Sequence, residues 1–227
     1  MTKKLPFNST SLRCLAMALM LMDHMWATII PGNDWMTWLG RLAFPIFAFQ
    51  AAEGYIHTHD FRRYCRRLLI FGLISEIPFN LMLVSAPIFP FHQNVMFTLL
   101  FGICACRAYD QRSFVKIALL LLAGLITFPD YGMLGIVTVL IFHIFRKQPI
   151  AQLLCMIALH VFGYEGQVFP LFGGAVEFPI QGFAVLALIP IWLYNGEKGP
   201  GGKAFQYAAY IFYPAHMLLL WLIRFMM

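Results

Sequence analysis

The chain has 227 residues, of which 61% are hydrophobic and 11% charged, with a mean hydropathy of +0.74. A soluble domain carries roughly 25% charged residues, so this composition leaves too little polar surface to face water all round. The net charge of +6 does not indicate nucleic-acid binding either, because the basic residues fall in short connectors and not on a stripe interleaved with aromatics.

A bilayer-spanning helix needs ~20 mostly apolar residues, since every backbone N–H and C=O must be satisfied inside the segment. The apolar blocks accommodate about nine spans, at 10–30, 35–57, 66–86, 94–109, 113–128, 131–145, 150–163, 177–194 and 205–225. The expected fold class is therefore all-α, a polytopic transmembrane bundle forming a single domain over 1–227. No small-residue cleavage site ends the first apolar run, so no cleavable signal peptide is expected.

Charged residues inside spans are costly, so each is expected to be paired or functional. The first span carries Arg13, Asp23 and His24. Arg13 and His24 are eleven positions apart, which returns to nearly the same helix face with ~16 Å between their backbones. They suit gripping the two ends of a long anionic ligand, although any two residues eleven apart would align. In the second span Arg41 enters from the same end as Asp23, and an Asp23–Arg41 ion pair would neutralise both. Pro45 is expected to bend this span. Beyond it Gln50, Glu53, Gly54 and His57 form a polar stripe at helical spacing.

Glu76 and Asn80 lie one turn apart on the third span, around Pro78; Asn94 and Thr98 do the same on the fourth. Interhelical hydrogen bonds are expected for Asn94 and Thr98, and a place lining a cavity for Glu53 and Glu76. In the last span Tyr210, Tyr213 and His216 recur at three-residue steps and should face the bundle. His143 and His160 read as ordinary buried or interfacial histidines. His57, His59 and His92 fall in connectors without carboxylates at ligand spacing, so no metal is expected. The five cysteines, Cys14, Cys65, Cys104, Cys106 and Cys155, sit in or beside apolar blocks and read as buried free thiols.

Lys and Arg fix the orientation, because they stay on the cytoplasmic side. Lys3 and Lys4, then Arg62, Arg63, Arg66 and Arg67, then Arg107, Arg112 and Lys116 occupy alternate connectors. Arg146 with Lys147, and Lys198 with Lys203 in the Gly/Pro-rich loop 195–202, complete that side. The intervening connectors, at 31–34, 86–93, 128–130 and 162–177, hold no Lys or Arg. This places the N-terminus in the cytoplasm and the C-terminus outside. Trp26, Trp35 and Trp38 gather at the first outer connector, where interfacial aromatics belong.

The run from Arg13 to His24, followed by Gly40-Arg41-Leu42-Ala43-Phe44-Pro45 and by Glu53-Gly54, resembles the TraX family. So do Ser75-Glu76-Ile77-Pro78-Phe79-Asn80, Asn94-Val95-Met96-Phe97-Thr98 and Phe212-Tyr213-Pro214-Ala215-His216. The resemblance extends from about residue 10 to the C-terminus. It implies a membrane protein that N-acetylates the amino terminus of conjugative pilin, with acetyl-coenzyme A as donor. The Arg13–His24 spacing is also similar, over a much shorter stretch, to the arginine, ten residues, histidine signature of larger membrane acyltransferases.

The expected function is acetyl transfer in a cavity of an inner-membrane protein, from cytoplasmic acetyl-coenzyme A to an amine or hydroxyl of an envelope protein or glycan, with pilin one candidate. His24 would act as general base with Asp23 orienting it, and Arg41, Asn80 or Tyr213 would stabilise the oxyanion. Glu53, Glu76 and His216 complete the candidate catalytic set. Arg13 with Arg62, Arg63, Arg66 and Arg67 would hold the coenzyme's phosphates, with topology anchoring as the alternative for the cluster. The rival expectation is a small proton- or cation-coupled transporter using Asp23, Glu53 and Glu76. A non-catalytic assembly factor is a third.

Overall fold

A computed structural model describes residues 5–164, 167–171 and 176–227. Lys3 and Lys4, and parts of the connector 162–177, lie outside the described residues. The helices fall into two compact units, Met1–Phe47 with Phe145–Gln206 and Ala48–Ile144 with Tyr207–Met227.

In the first unit, helix α1 (Ser9–Thr28) starts at an Asn8 cap. The Asn8 side chain accepts from the Ser11 backbone while the Ser11 hydroxyl accepts from the Asn8 backbone, which satisfies two otherwise orphaned amides. Helix α2 (Trp35–Gly40) packs on α1. The chain then turns at Arg41 and Leu42 before α3 (Ala43–His57), so the expected span 35–57 is broken. Pro45 accounts for the place of the break: it has no N–H to bond the Arg41 carbonyl four residues back and its ring crowds that carbonyl, so the helix restarts with Pro45 in the first turn of α3.

After α8 (Pro149–Phe162) the described chain forms an antiparallel hairpin of β1 (Val168–Leu171) and β2 (Val176–Pro179), with Phe169 opposite Phe178. A 3-10 helix (Ile180–Ala187) and the short α9 (Leu188–Trp192) follow. The expected helical span 177–194 is therefore corrected to a strand, a 3-10 helix and one α-turn. Pro179 has no N–H to give a helix, and Phe178 closes over Gly182 so tightly that a Cβ there would sit 2.5 Å from its ring. Trp38 of α2 stacks on Phe183 at 5.7 Å and meets Phe169 edge-on at 4.6 Å. That aromatic cluster explains why the segment folds back on α2.

In the second unit, α4 (Phe61–Val84), α5 (Val95–Asp110), α6 (Phe114–Ile126) and α7 (Gly132–Ile144) run up and down, and the later part of α10 (Gly202–Met226) joins them. Arg107 near the end of α5 lies over Phe61 at the start of α4, while Asn94 at the start of α5 reaches Gly72 and Glu76 far along α4. Asp110 and His143 then meet at the ends of α5 and α7. Arg62, Arg63, Arg66, Arg67, Arg107 and Arg112 thus gather at one end of the unit. The connectors 86–93 and 128–130, which lack Lys and Arg, gather at the other.

Helices α4 and α10 are long and apolar enough to cross a membrane, and only 33% and 22% of their most apolar stretches are buried. Core helices of a soluble protein would be covered instead. Leu69, Ile70, Leu73, Ile74 and Ile77 of α4 point outward, as do Ile211, Leu219 and Leu222 of α10, an outward apolar face that suits lipid. The helices α6 and α7 have 13 residues each and rise about 20 Å, less than the ~30 Å hydrocarbon core.

Candidate functional site

Three polar clusters are built into these helices, one in the first unit and two in the second. In the first unit, Asp23 Oδ1 accepts a hydrogen bond from Thr37 Oγ1 at 2.6 Å and from Arg41 Nη2 at 3.3 Å. Arg41 also donates to Thr37 at 2.7 Å. The expected Asp23–Arg41 ion pair is therefore present, with Thr37 as a third member that the sequence did not single out. Helical spacing delivers it, since Arg41 lies one turn beyond Thr37 and its amide donates to the Thr37 carbonyl at 3.0 Å. Close approach is permitted by Gly40, where a Cβ would lie 2.4 Å from the Asp23 Cβ. Arg13 and His24 lie on the same helix as Asp23 and are half-buried.

At the arginine-rich end of the second unit, Glu53 pairs with His57 at 3.4 Å, so the predicted polar stripe on α3 is there. Arg62, Arg63 and Arg66 are exposed, while Arg67 lies 5.5 Å from the Tyr64 ring with its Nε buried and without a hydrogen-bond partner. A guanidinium donor left in this state fits an anionic oxygen such as a phosphate. Beside it, Tyr55 donates to Asp110 at 2.7 Å and the His143 ring meets the same carboxylate at 2.8 Å. His143 is thus tied to a carboxylate and is not merely a packing residue. No local pattern could reveal this, because its partners come from α3 and α5.

The third cluster occupies the opposite end of that unit. Glu76 and Asn80 line a cavity of about 210 Å³ together with Ile88, Phe89, Pro90, Gln93 and Phe97. Glu76 Oε2 accepts from the Asn94 side chain and backbone, and Asn94 also donates to the Gly72 carbonyl at 2.8 Å and caps α5 through Met96. The expected interhelical bonds of Asn94 and the cavity-lining place of Glu76 both hold. Glu76 Oε1 and Asn80 Oδ1 are buried without partners. Asn80 spends its amide on the Pro87 carbonyl at 3.4 Å. Its oxygen is left unpaired and one amide hydrogen remains over.

The connectors 86–93 and 128–130 are stitched by the Gln93 amide donating to Phe128 at 2.9 Å and the Asp130 amide donating to Gln93 at 2.7 Å. This brings His92 to 3.5 Å from Asp130, and the Asp130 carbonyl also accepts from Thr98. Hydrogen bonding to Asp130 holds the His92 imidazolium above its ordinary range, against the opposing effect of burial, with the charges of Asp130 and Glu76 adding to the rise. The sequence signal was faint, since each of two lysine-free connectors carries one titratable group. Tyr213, 4% exposed on α10, meets the Val95 backbone and lies within electrostatic reach of Glu76 and Asp130. His216, also 4% exposed, stacks on Phe212 and bonds its carbonyl at 2.8 Å, while Tyr210 stacks on Phe71. The three α10 residues therefore face inward as their spacing predicts.

The cysteines are free, as expected, but Cys14 is exposed on α1 and only Cys106 is fully buried. His160 is fully buried against Gln181 and Tyr164.

No solved structure matches this chain. A curated relative from Dichelobacter nodosus, "Probable fimbrial assembly protein FimC, serogroup H1", is 28% identical over 240 aligned positions, covering 97% of each chain. The profile of the family described as "TraX protein" matches residues 8–224. With nearly the whole length matched, from the Asn8 cap of α1 to Arg224 of α10, the chain belongs to the TraX family.

Proposed function

We propose that this TraX-family chain is a membrane-embedded acetyltransferase that moves acetyl from cytoplasmic acetyl-coenzyme A to an amine or hydroxyl of an envelope acceptor. We read it as a multi-pass inner-membrane protein with a cytoplasmic N-terminus. The observation that carries the reading is the polarity of the second unit, with arginines at one end, hydrogen-bond acceptors around a cavity at the other, and outward apolar faces between. Under the positive-inside rule the arginine end is cytoplasmic, which is where acetyl-coenzyme A is found. The curated relative's name supports an acceptor of the pilin kind.

Each unit has a role in this scheme. Arg67, whose buried Nε lacks an acceptor, and the exposed Arg62, Arg63 and Arg66 hold the coenzyme's phosphates by charge-assisted hydrogen bonds. His24 takes the acceptor's proton as its nitrogen or oxygen attacks the thioester carbon. The tetrahedral oxyanion collapses, the C–S bond breaks, and the departing thiolate recovers the proton from His24. Arg41 and Thr37 fix Asp23 in place, and a fixed Arg41 is a preorganised cation for the developing charge.

The test is acetyl transfer from labelled acetyl-coenzyme A by purified protein in lipid nanodiscs. Abolition of transfer in His24→Ala is expected; full transfer in that variant would remove His24 as the base. A second reading, a proton or cation transporter, is favoured by the unpaired Glu76 oxygen beside a cavity. It is weakened by the pairing of Asp23 with Arg41 and of Glu53 with His57. Proton flux in liposomes without thioester turnover would establish it instead.

A further inference from the structure

We propose that the lysine-free end of the second unit inserts the apolar tip of its connectors, Ile88, Phe89, Phe91 and Phe128, into the outer leaflet where headgroups meet acyl chains. This rests on the multi-pass membrane reading. The tip is uncovered: Ile88 is 78%, Phe91 68% and Phe128 50% exposed. Its rings are already gathered, with Phe89 and Phe91 at 6.0 Å and Phe91 and Phe128 at 6.5 Å, so two connectors build one surface. That surface continues the outward apolar faces that Ile77 and Val84 give α4 and Leu125 and Ile126 give α6. An exposed apolar patch of this kind marks an interaction site, and its continuity with those faces makes the bilayer its partner. The connectors at the arginine-rich end have the opposite character, with Asp60, Gln111 and Arg112 exposed.

The helix register puts the tip at that depth. Asn94 bonds to Gly72 and Glu76, so α5 begins level with the middle of α4. The connector therefore runs back beside the last turns of α4, where Asn80 donates to the Pro87 carbonyl. From Arg67, the last of the α4 arginines, Glu76 lies ~14 Å and Val84 ~25 Å along the axis. With the arginines at the inner boundary of a ~30 Å hydrocarbon core, a tip level with Val84 lies about 5 Å inside the outer boundary, the depth of interfacial apolar segments. The polar groups fit that position. His92 and Asp130 are the only ionisable side chains of the two connectors, and they pair at 3.5 Å. Pro87, Pro90 and Pro129 have no N–H to satisfy. The Pro87 and Pro90 carbonyls accept from the Asn80 and Gln93 side chains, and that of Phe128 from the Gln93 amide. Ile88, Phe89 and Pro90 also wall the cleft at Glu76, which therefore lies beside acyl chains and not in open water.

The experiment replaces Ile88, Phe91, Gln111 or Leu122 of the full chain, one at a time, by p-acetylphenylalanine carrying a ketone-reactive nitroxide. Collisions of each label with oxygen and with a neutral nickel chelate are then measured in phosphatidylcholine nanodiscs by power-saturation spectroscopy. Oxygen concentrates among acyl chains and the chelate in water. All four side chains are exposed, so labels there leave the packing intact. Leu122 in the middle of α6 reports lipid, and Gln111 at the arginine-rich end reports water. The oxygen-to-nickel ratio at Ile88 and Phe91 is expected to be at least about fivefold above that at Gln111. A ratio there equal to that at Gln111, with Leu122 still in lipid, would overturn the insertion and leave the membrane reading standing. A water-like ratio at Leu122 would remove that reading and the insertion with it. Protection of Ile88 and Phe91 from both reagents, the sign of a second copy covering the tip, would also overturn the assignment.

Discussion

Removing Arg41 isolates the contribution of the most fully formed ion pair in the first unit. The contact is 3.3 Å and the two side chains are 26% and 19% exposed, so the pair is neither fully screened nor fully desolvated. At that separation the Coulomb attraction is about 5 kcal/mol for an effective dielectric of 20. Most of it is offset by desolvation, leaving a net charge-assisted bond of about 1.5–3 kcal/mol. In Arg41→Gln the carboxylate keeps Thr37 but loses its cation, and a cost of about 2 kcal/mol is expected, discounted for partial exposure. Asp23→Asn leaves Arg41 unneutralised, at about 1–2 kcal/mol. The double variant should recover about 1 kcal/mol of the summed loss, because neither charge is then stranded. Thermal denaturation of the four proteins in one detergent, by tryptophan fluorescence, gives the cycle. Additivity within about 0.3 kcal/mol would refute the coupling.

In Gly40→Ala the new methyl would lie 2.4 Å from Asp23 Cβ, so α2 must shift, at a cost of about 1–3 kcal/mol, measured by the same melts. Asn94→Ala loses the α5 cap and strands Gly72 and Glu76 oxygens, for about 2–4 kcal/mol; a change below 1 kcal/mol would contradict the network. The raised affinity of His92 for its proton adds stability that is fully present below the ordinary histidine range and lost as pH rises through the folded-state value. The melting-temperature difference between the wild type and His92→Gln should accordingly be larger at pH 5.5 than at 8.5. A difference independent of pH would exclude the His92–Asp130 contact.

The helices α5, α6 and α7 were legible because apolar runs are bounded by local stop signals, Asn94, Ser113 and the Pro129-Asp130 turn, and local chemistry decided their ends. Two segments were not. The break at Arg41 and Leu42 falls four residues before Pro45, so a bend could be expected there, but the sequence did not show that α2 would end outright. The segment 177–194 has helical hydropathy, but Pro179 and the closure of Phe178 over Gly182 override it. In the candidate sites, pairs one turn apart such as Glu53–His57 and Glu76–Asn80 could be seen as pairs from spacing. His92–Asp130 and Tyr55–Asp110–His143 could not, because loops and helices distant in sequence supply their partners. Cys14 shows the same limit, as an apolar run does not reveal which of its faces is covered.

The acetyl-transfer claim is tested most directly by incubating inverted inner-membrane vesicles containing this chain with radiolabelled acetyl-coenzyme A and following label into envelope protein and glycan. The account predicts covalent label on an acceptor, dependent on the chain and lost in His24→Ala and in an Arg62, Arg63, Arg66 and Arg67 quadruple alanine variant. Label that is absent, or the same with and without the chain, would contradict it.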